Sequence, residues 1–117
     1  MKISAIKELL KAEVICGEED LEREVYSACG SDMMSDVLAY VKDQGVLLTG
    51  LVNSQVIRTA EMMDMVCIVF VRNKRPTEEM VELAKEMGIV MLCSPKRMYE
   101  ACGKLYMNGL NGNGATV

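Results

Sequence analysis

"MVCIVFV", Met65 to Val71, decides the fold. The run holds no polar side chain and is rich in β-branched residues, so it reads as a strand that is apolar on both faces. Strands of that kind belong to sheets covered on both sides, which are mostly parallel and need a crossover element between neighbours. The flanking sequence supplies such elements. Upstream, Val56, Ile57, Ala60 and Met63 form the stripe of an amphipathic helix, with Asn53 or Ser54 as its cap. Downstream, after "RNKRPT", a helix is predicted from about Thr77 to Met87. Glu78 and Glu79 sit at its positive end, and Gly88 is its stop.

Further out, the same alternation continues. "VLLTG" (46–50) and "IVMLC" (89–93) are doubly apolar strands, and Ser94 with Pro95 reads as cap and first turn of a last helix. That helix is expected to bury Met98, Ala101, Cys102 and Leu105. Toward the N-terminus, "ISAIKELLK" (3–11) places Ile3, Ile6, Leu9 and Leu10 on one helix face, with Ser4 as its cap. "EVIC" (13–16) is a short strand stopping at Gly17, and "EREVYSACG" (22–30) a second one stopping at Gly30. Met34, Val37, Leu38 and Val41 mark a helix that ends before Gly45. The fold class is α/β: a mainly parallel sheet of about five strands with helices on both faces. The first helix and the short second strand are the expected departures from strict winding. One domain is expected over residues 1–107, followed by a disordered Gly/Asn-rich tail, "NGLNGNGATV", over 108–117.

Composition excludes several function classes. A chain of 117 residues can bury one core without metals or disulfides. A net charge of −4, with acidic residues spread along the chain, leaves no footprint for nucleic acid or an anionic membrane surface. No apolar run approaches the roughly 20 residues of a membrane span. "MKISAIKELLKAEV" is no secretory signal, so a cytoplasmic location is expected. There is no histidine, which removes the commonest general base, the usual triads and most catalytic zinc sites. The five cysteines, at 16, 29, 67, 93 and 102, form no C-x-x-C and no metal-ligand spacing. Cys67 and Cys93 lie inside apolar runs, as reduced core fillers do. Eleven methionines beside one phenylalanine point to a soft core, with a Met-rich binding face as the second reading.

The stretch "CGSDMMSDV", Cys29 to Val37, is the first place to look for chemistry. Cys29 lacks a histidine partner, so it is no activated nucleophile. Asp32 and Asp36, four apart, would share a helix face and could be read as a Mg²⁺ pair, which ordinarily also needs phosphate oxygens and further carboxylates. Neither a P-loop nor a G-x-G-x-x-G is present. No catalytic residue, metal or cofactor is therefore expected.

In sheets of this class ligands gather at the carboxyl ends of the strands. The residues expected there are Gly30, Ser31 and Asp32 after Cys29, Gly50, Asn53 and Ser54 after Thr49, Arg72, Asn73, Lys74 and Arg75 after Val71, and Ser94 and Lys96 after Cys93. Four cations on one rim of an acidic protein, beside helix N-termini, suit an anionic small molecule. Ser, Asp and Asn at helix starts are also what capping requires, and "RNKR" reads equally as a solvated turn. Both readings stand. The candidate ligand-binding residues are Ser31, Asp32, Asn53, Ser54, Arg72, Asn73, Arg75 and Ser94.

Two long stretches carry a resemblance. "EVICGEEDLEREVYSACGSDMMSDVLAYVKDQGVLLTG" (13–50) and "DMVCIVFVRNKRPTEEMVELAKEMGIVMLCSP" (64–95) together resemble the DRTGG domain, a small α/β module similar to the N-terminal domain of HPr kinases. The resemblance covers residues 1–107. It implies a regulatory, dimerising module of the kind that accompanies CBS domains in regulated pyrophosphatases, or a phosphotransacetylase. Stand-alone members occur in anaerobes, often encoded near hydrogenase or iron–sulfur proteins. The HPr kinase activity does not carry over, because it belongs to a different domain. The chain departs from the family pattern at two places: "GLVNS" (50–54) replaces the Asp-Arg pair, and "VRNKR" (71–75) replaces Thr-Gly-Gly.

The expectation is a non-enzymatic regulatory or ligand-sensing module, homodimeric, holding a small anionic ligand at the carboxyl edge, with an adenine nucleotide among the candidates. The alternative is a structural interaction protein whose Met-rich helices dock a redox or hydrogenase-related enzyme without any small ligand. A redox enzyme or a kinase is the protein partner these readings allow. A redox or metal role for the cysteines is the third reading.

Overall fold

A computed structural model of the chain describes residues 1–39 and 44–111. Among the described residues five α-helices and five strands follow in the order α1 (Ile3–Leu10), β1 (Glu13–Cys16), β2 (Ser27–Gly30), α2 (Met34–Val37), β3 (Gly45–Thr49), α3 (Ser54–Met62), β4 (Cys67–Phe70), α4 (Glu78–Met87), β5 (Val90–Cys93) and α5 (Met98–Met107). The strands form one sheet in the order β1-β5-β4-β3-β2. β2 through β5 run parallel, and β1 pairs antiparallel with β5 through an irregularity between Val14 and Cys16. The α/β class and the mainly parallel five-stranded sheet are thus as the sequence reads.

Period-two alternation divides the core between two faces. Leu47, Ile68, Phe70 and Met91 point to one side, where α2, α3 and α4 cover them with Met34, Val56, Ile57, Ala60, Met80 and Ala84. Val46, Leu48, Val69, Val90 and Leu92 point to the other, against Ile3, Ile6 and Leu10 of α1 and Ala101 and Leu105 of α5. Every residue of β3, β4 and β5 is buried, which is why these runs show no polar alternation. Consecutive crossovers of one hand place α2, α3 and α4 on the same face, because β2 to β5 advance across the sheet without reversing.

Local signals account for most boundaries. Asn53 caps α3, its side chain accepting the Val56 N–H at 3.3 Å. Thr77 caps α4 by accepting the Met80 N–H at 3.2 Å, and Gly88 ends it with φ +69°. Gly17 ends β1 with φ +89°, and a Cβ there would stand 2.8 Å from Val90 Cγ2 and 3.0 Å from Val90 Cα. Only glycine meets both demands.

Several expectations need correcting. β2 begins at Ser27, not near residue 22; Glu24 instead bridges Lys2, and the Val25 N–H donates to the Met1 carbonyl. The strand that departs from parallel winding is β1, whereas β2 is parallel to β3. Only a 3₁₀ turn (Glu18–Asp20) intervenes between β1 and β2, so they cannot form a βαβ unit and take opposite edges. Ser4 is not a cap: Lys2 flanks α1 without a side-chain bond, and the Ser4 N–H donates to the Leu21 carbonyl at 2.8 Å. α2 is a single turn that buries Met34 and Val37, with Leu38 exposed; Val41 lies outside the described residues. α5 starts at Met98 rather than at Pro95, and neither Ser94 nor Pro95 belongs to it. Leu110, assigned to the tail by composition, is buried against the α1/α5 side of the core. Residues 112–117 of that tail lie outside the described residues.

Candidate functional site

The carboxyl ends of β2, β3 and β4 meet around one carboxylate. Asp32 Oδ1 accepts the Gly50 N–H at 2.6 Å and the Thr49 hydroxyl at 3.1 Å. Its other oxygen lies 3.8 Å from Arg72 Nη2, with both side chains about half exposed. Thr49 Oγ1 in turn accepts the Leu51 N–H at 3.1 Å. Asp32 therefore holds the turn after β3 to the end of β2, and Arg72 reaches it from the turn after β4.

Arg72 is set in place by its backbone. Arg72 and Asn73 both adopt φ +58°. Asn tolerates that left-handed region, but for Arg it costs roughly 1–2 kcal/mol. Two hydrogen bonds hold the conformation: Arg72 N–H to the Lys96 carbonyl at 2.8 Å, and Asn73 N–H to the Ser94 carbonyl at 2.9 Å. The guanidinium then lies over Gly50, where any Cβ would collide with it. The turn after β3 and the turn after β4 are thus packed on one another.

The other candidates fall in different places. Ser31 is engaged locally, accepting the Met33 N–H at 3.0 Å. Asn53 is occupied by its cap, and Ser54 donates to Glu79 Oε1 at 2.7 Å, joining the starts of α3 and α4. Arg75 makes a two-pronged contact with Glu13, at 3.0 and 3.2 Å. The hydrogen bond and charge of Arg75 hold the Glu13 carboxyl below its ordinary range, and Glu13 raises the guanidinium in return. Ser94 turns inward: it is fully buried, its hydroxyl donating to the Leu10 carbonyl at 2.7 Å and accepting the Lys96 N–H at 3.1 Å. Ser94 thus follows β5 at the carboxyl edge, but its hydroxyl is spent inside the fold. The Asp32/Asp36 pair is corrected, since Asp32 precedes α2 and turns toward β3, so the two share no helix face.

Capping and binding, left open by the sequence, separate residue by residue. Capping accounts for Asn53, while Asp32 and Ser54 reach other elements instead. Sequence reasoning places Gly50 on the rim but passes over Thr49 and Glu13 as contributors to it. A lone hydroxyl closing an apolar strand is a signal that could have found Thr49. Glu13 was hidden, because it reaches the rim only through the antiparallel pairing of β1, which sets it opposite Cys93.

Along β2 to β5 the connecting helices α2, α3 and α4 stay on one face, and the chain crosses to the other face only after β5, in α5, so the change of side at the carboxyl edge falls between β4 and β5. Three concavities of the surface border α1 or α5 instead of Asp32 and Arg72. All five cysteines are free thiols, four buried and Cys102 half-buried. Burial pushes each thiol up, Cys29 to about 11, so none is poised as a thiolate at neutral pH. Among the described residues no group of three or more Cys, Asp or Glu could hold a metal ion. Nor is any helix among them long and apolar enough to cross a membrane.

Comparison with known proteins agrees with this architecture. No curated protein matches the chain. Among solved structures it is similar to the CBS and DRTGG domains of the regulatory region of Clostridium perfringens pyrophosphatase, a structure complexed with the activator diadenosine tetraphosphate. The TM-score is 0.72 at 18% identity, over 89% of this chain and 45% of that one, so this chain spans under half of that neighbour's length. The model of the DRTGG domain matches residues 5–106, from α1 to the end of α5, and the chain belongs to that family.

Proposed function

We propose that the chain is a non-enzymatic regulatory module, acting as a homodimer, that senses a small anionic ligand on the rim around Arg72. Asp32, Thr49 and Gly50 form the floor, and Ser31, Asn53, Ser54, Asn73 and Arg75 border it. The observation that carries this reading is the state of Arg72. Its backbone is held in a costly conformation, yet its half-exposed guanidinium is only loosely paired, at 3.8 Å from Asp32. A cation placed this firmly and neutralised this weakly suits phosphate, which a guanidinium grips through two parallel N–H bonds. The activator bound by the pyrophosphatase region is a polyphosphate nucleotide, which makes an adenine nucleotide the first candidate.

A route for regulation follows from the same contacts. A ligand that draws Arg72 off Asp32 perturbs the turn whose backbone is bonded to Lys96. Lys96 Nζ is 3.3 Å from Glu100, at the start of α5. Ligand binding would thus bias the position of α5, as a population shift requires differential contacts in two states.

A melting screen with adenine nucleotides and other phosphometabolites tests the reading. A ligand at ten times its dissociation constant should raise the melting temperature by roughly 5 °C. Arg72→Ala should abolish that rise. No shift with any phosphate compound, or an equal shift in the variant, would overturn it.

A further inference from the structure

The three most exposed large apolar side chains among the described residues all lie at α5: Tyr99 at 93%, Met107 at 86% and Tyr106 at 63%. At 100° per residue they share one side of the helix with Gly103, opposite the buried Ala101 and Leu105. A glycine within a helix costs about 1 kcal/mol relative to alanine. Among the described residues nothing asks for one at 103, where a Cβ would meet none of their atoms within 4 Å. The helix therefore carries a destabilising small residue at the centre of an exposed apolar face.

The charges bordering that face are self-complementary. Glu100 and Lys104 lie one turn apart along the same edge. Consider two α5 helices packed antiparallel about a dyad at Gly103, so that edges are kept and heights inverted. Glu100 then lies about 4.5 Å to one side of the dyad and Lys104 of the second copy about 1.5 Å to that same side. Two reciprocal Glu–Lys pairs result, and Tyr99 meets Tyr106 and Met107 of the second copy. The groove between α5 and the β2 edge, lined by Ala28, Gly30, Cys102, Tyr106 and Leu110, extends the apolar surface.

We propose that this face of α5 is where a second copy of the chain docks, antiparallel about Gly103, with Glu100 and Lys104 pairing across the dyad. The inference rests on the homodimeric reading above and supplies its interface. Because α5 is the element next to Lys96, this interface would also be the one the rim addresses.

Light scattering and sedimentation equilibrium of the full chain over graded concentrations test it. The wild type should associate, and Gly103→Gln should be monomeric; melted at dilutions where the wild type has dissociated too, the variant should show an unchanged or raised melting temperature, since glutamine has open space there and favours helix. Lys104→Glu, which leaves the Lys96–Glu100 pair of the chain intact, should weaken association roughly tenfold, and adding Glu100→Lys should restore it to within about threefold. A wild-type dimer indifferent to Gly103→Gln and to charge reversal overturns the interface and leaves the homodimer standing. A wild type that stays monomeric at every concentration overturns both. Failure of the second charge swap to restore association, with melting intact, overturns the antiparallel pairing.

Discussion

Asp32 does more for this fold than its surface position suggests. It gives an acceptor to the Gly50 N–H and the Thr49 hydroxyl, so its loss strands two donors at the end of a buried strand. Asp32→Ala should cost about 1–2 kcal/mol in denaturant unfolding, discounted for its half-exposed site, and Asp32→Asn should recover part of that because an acceptor oxygen remains. Two glycines should respond oppositely. Gly17→Ala meets both a left-handed φ and the backbone of Val90, so a loss of about 3 kcal/mol is expected. Gly50→Ala meets only the far end of Arg72, which can swing away, so its cost should stay under about 1 kcal/mol. Asn53, Thr77 and Gly88 were legible as helix boundaries because a cap is read within a few residues of itself. Ser4 and Ser94 misled for the complementary reason. The Ser94 hydroxyl answers Leu10, 84 residues away, which no local pattern can reveal.

The elements show how far hydrophobic pattern reaches. β3, β4 and β5 are buried throughout and were read as such from unbroken apolar runs. The edge strands were harder. β2 is half the expected length because pairing with the chain start takes over Glu24 and Val25, and the direction of β1 follows from global packing rather than composition. Cys29 in β2 offers a pH test. Its folded-state pKa is raised from 9.0 to about 11 by burial. An acid whose pKa rises on folding contributes stability in full below its unfolded value, and that stability is lost above it. Unfolding free energy should therefore fall between pH 9 and 11. Cys29→Ala should make that part of the profile shallower by one thiol's share, the other four raised thiols keeping the rest of the slope in denaturant titration. An identical slope in the variant would show that the Cys29 thiol is not among its sources. At α4, Thr77→Ala should cost about 1 kcal/mol through loss of its cap.

At the scale of the molecule, β2 to β5 advance in one direction with α2, α3 and α4 on one face, and the chain changes face only after β5. The sequence placed small polar residues and cations on the carboxyl edge, and Asp32 and Arg72 do come together there with Thr49 and Gly50. It could not show that Arg75 would be taken up by Glu13, because that pairing depends on which way β1 runs. With Arg75 paired to Glu13 and Lys96 to Glu100, Arg72 stands as the cation held least tightly among these three. The regulatory reading rests on that one guanidinium. Calorimetric titration of the full chain with diadenosine tetraphosphate, alongside Arg72→Ala, tests it most directly. The account predicts saturable heat for the wild type and an affinity at least about tenfold weaker for the variant, the loss expected when a charged hydrogen-bonding partner of a phosphate is removed. Absence of heat with the wild type, or equal affinity in the two proteins, would contradict it.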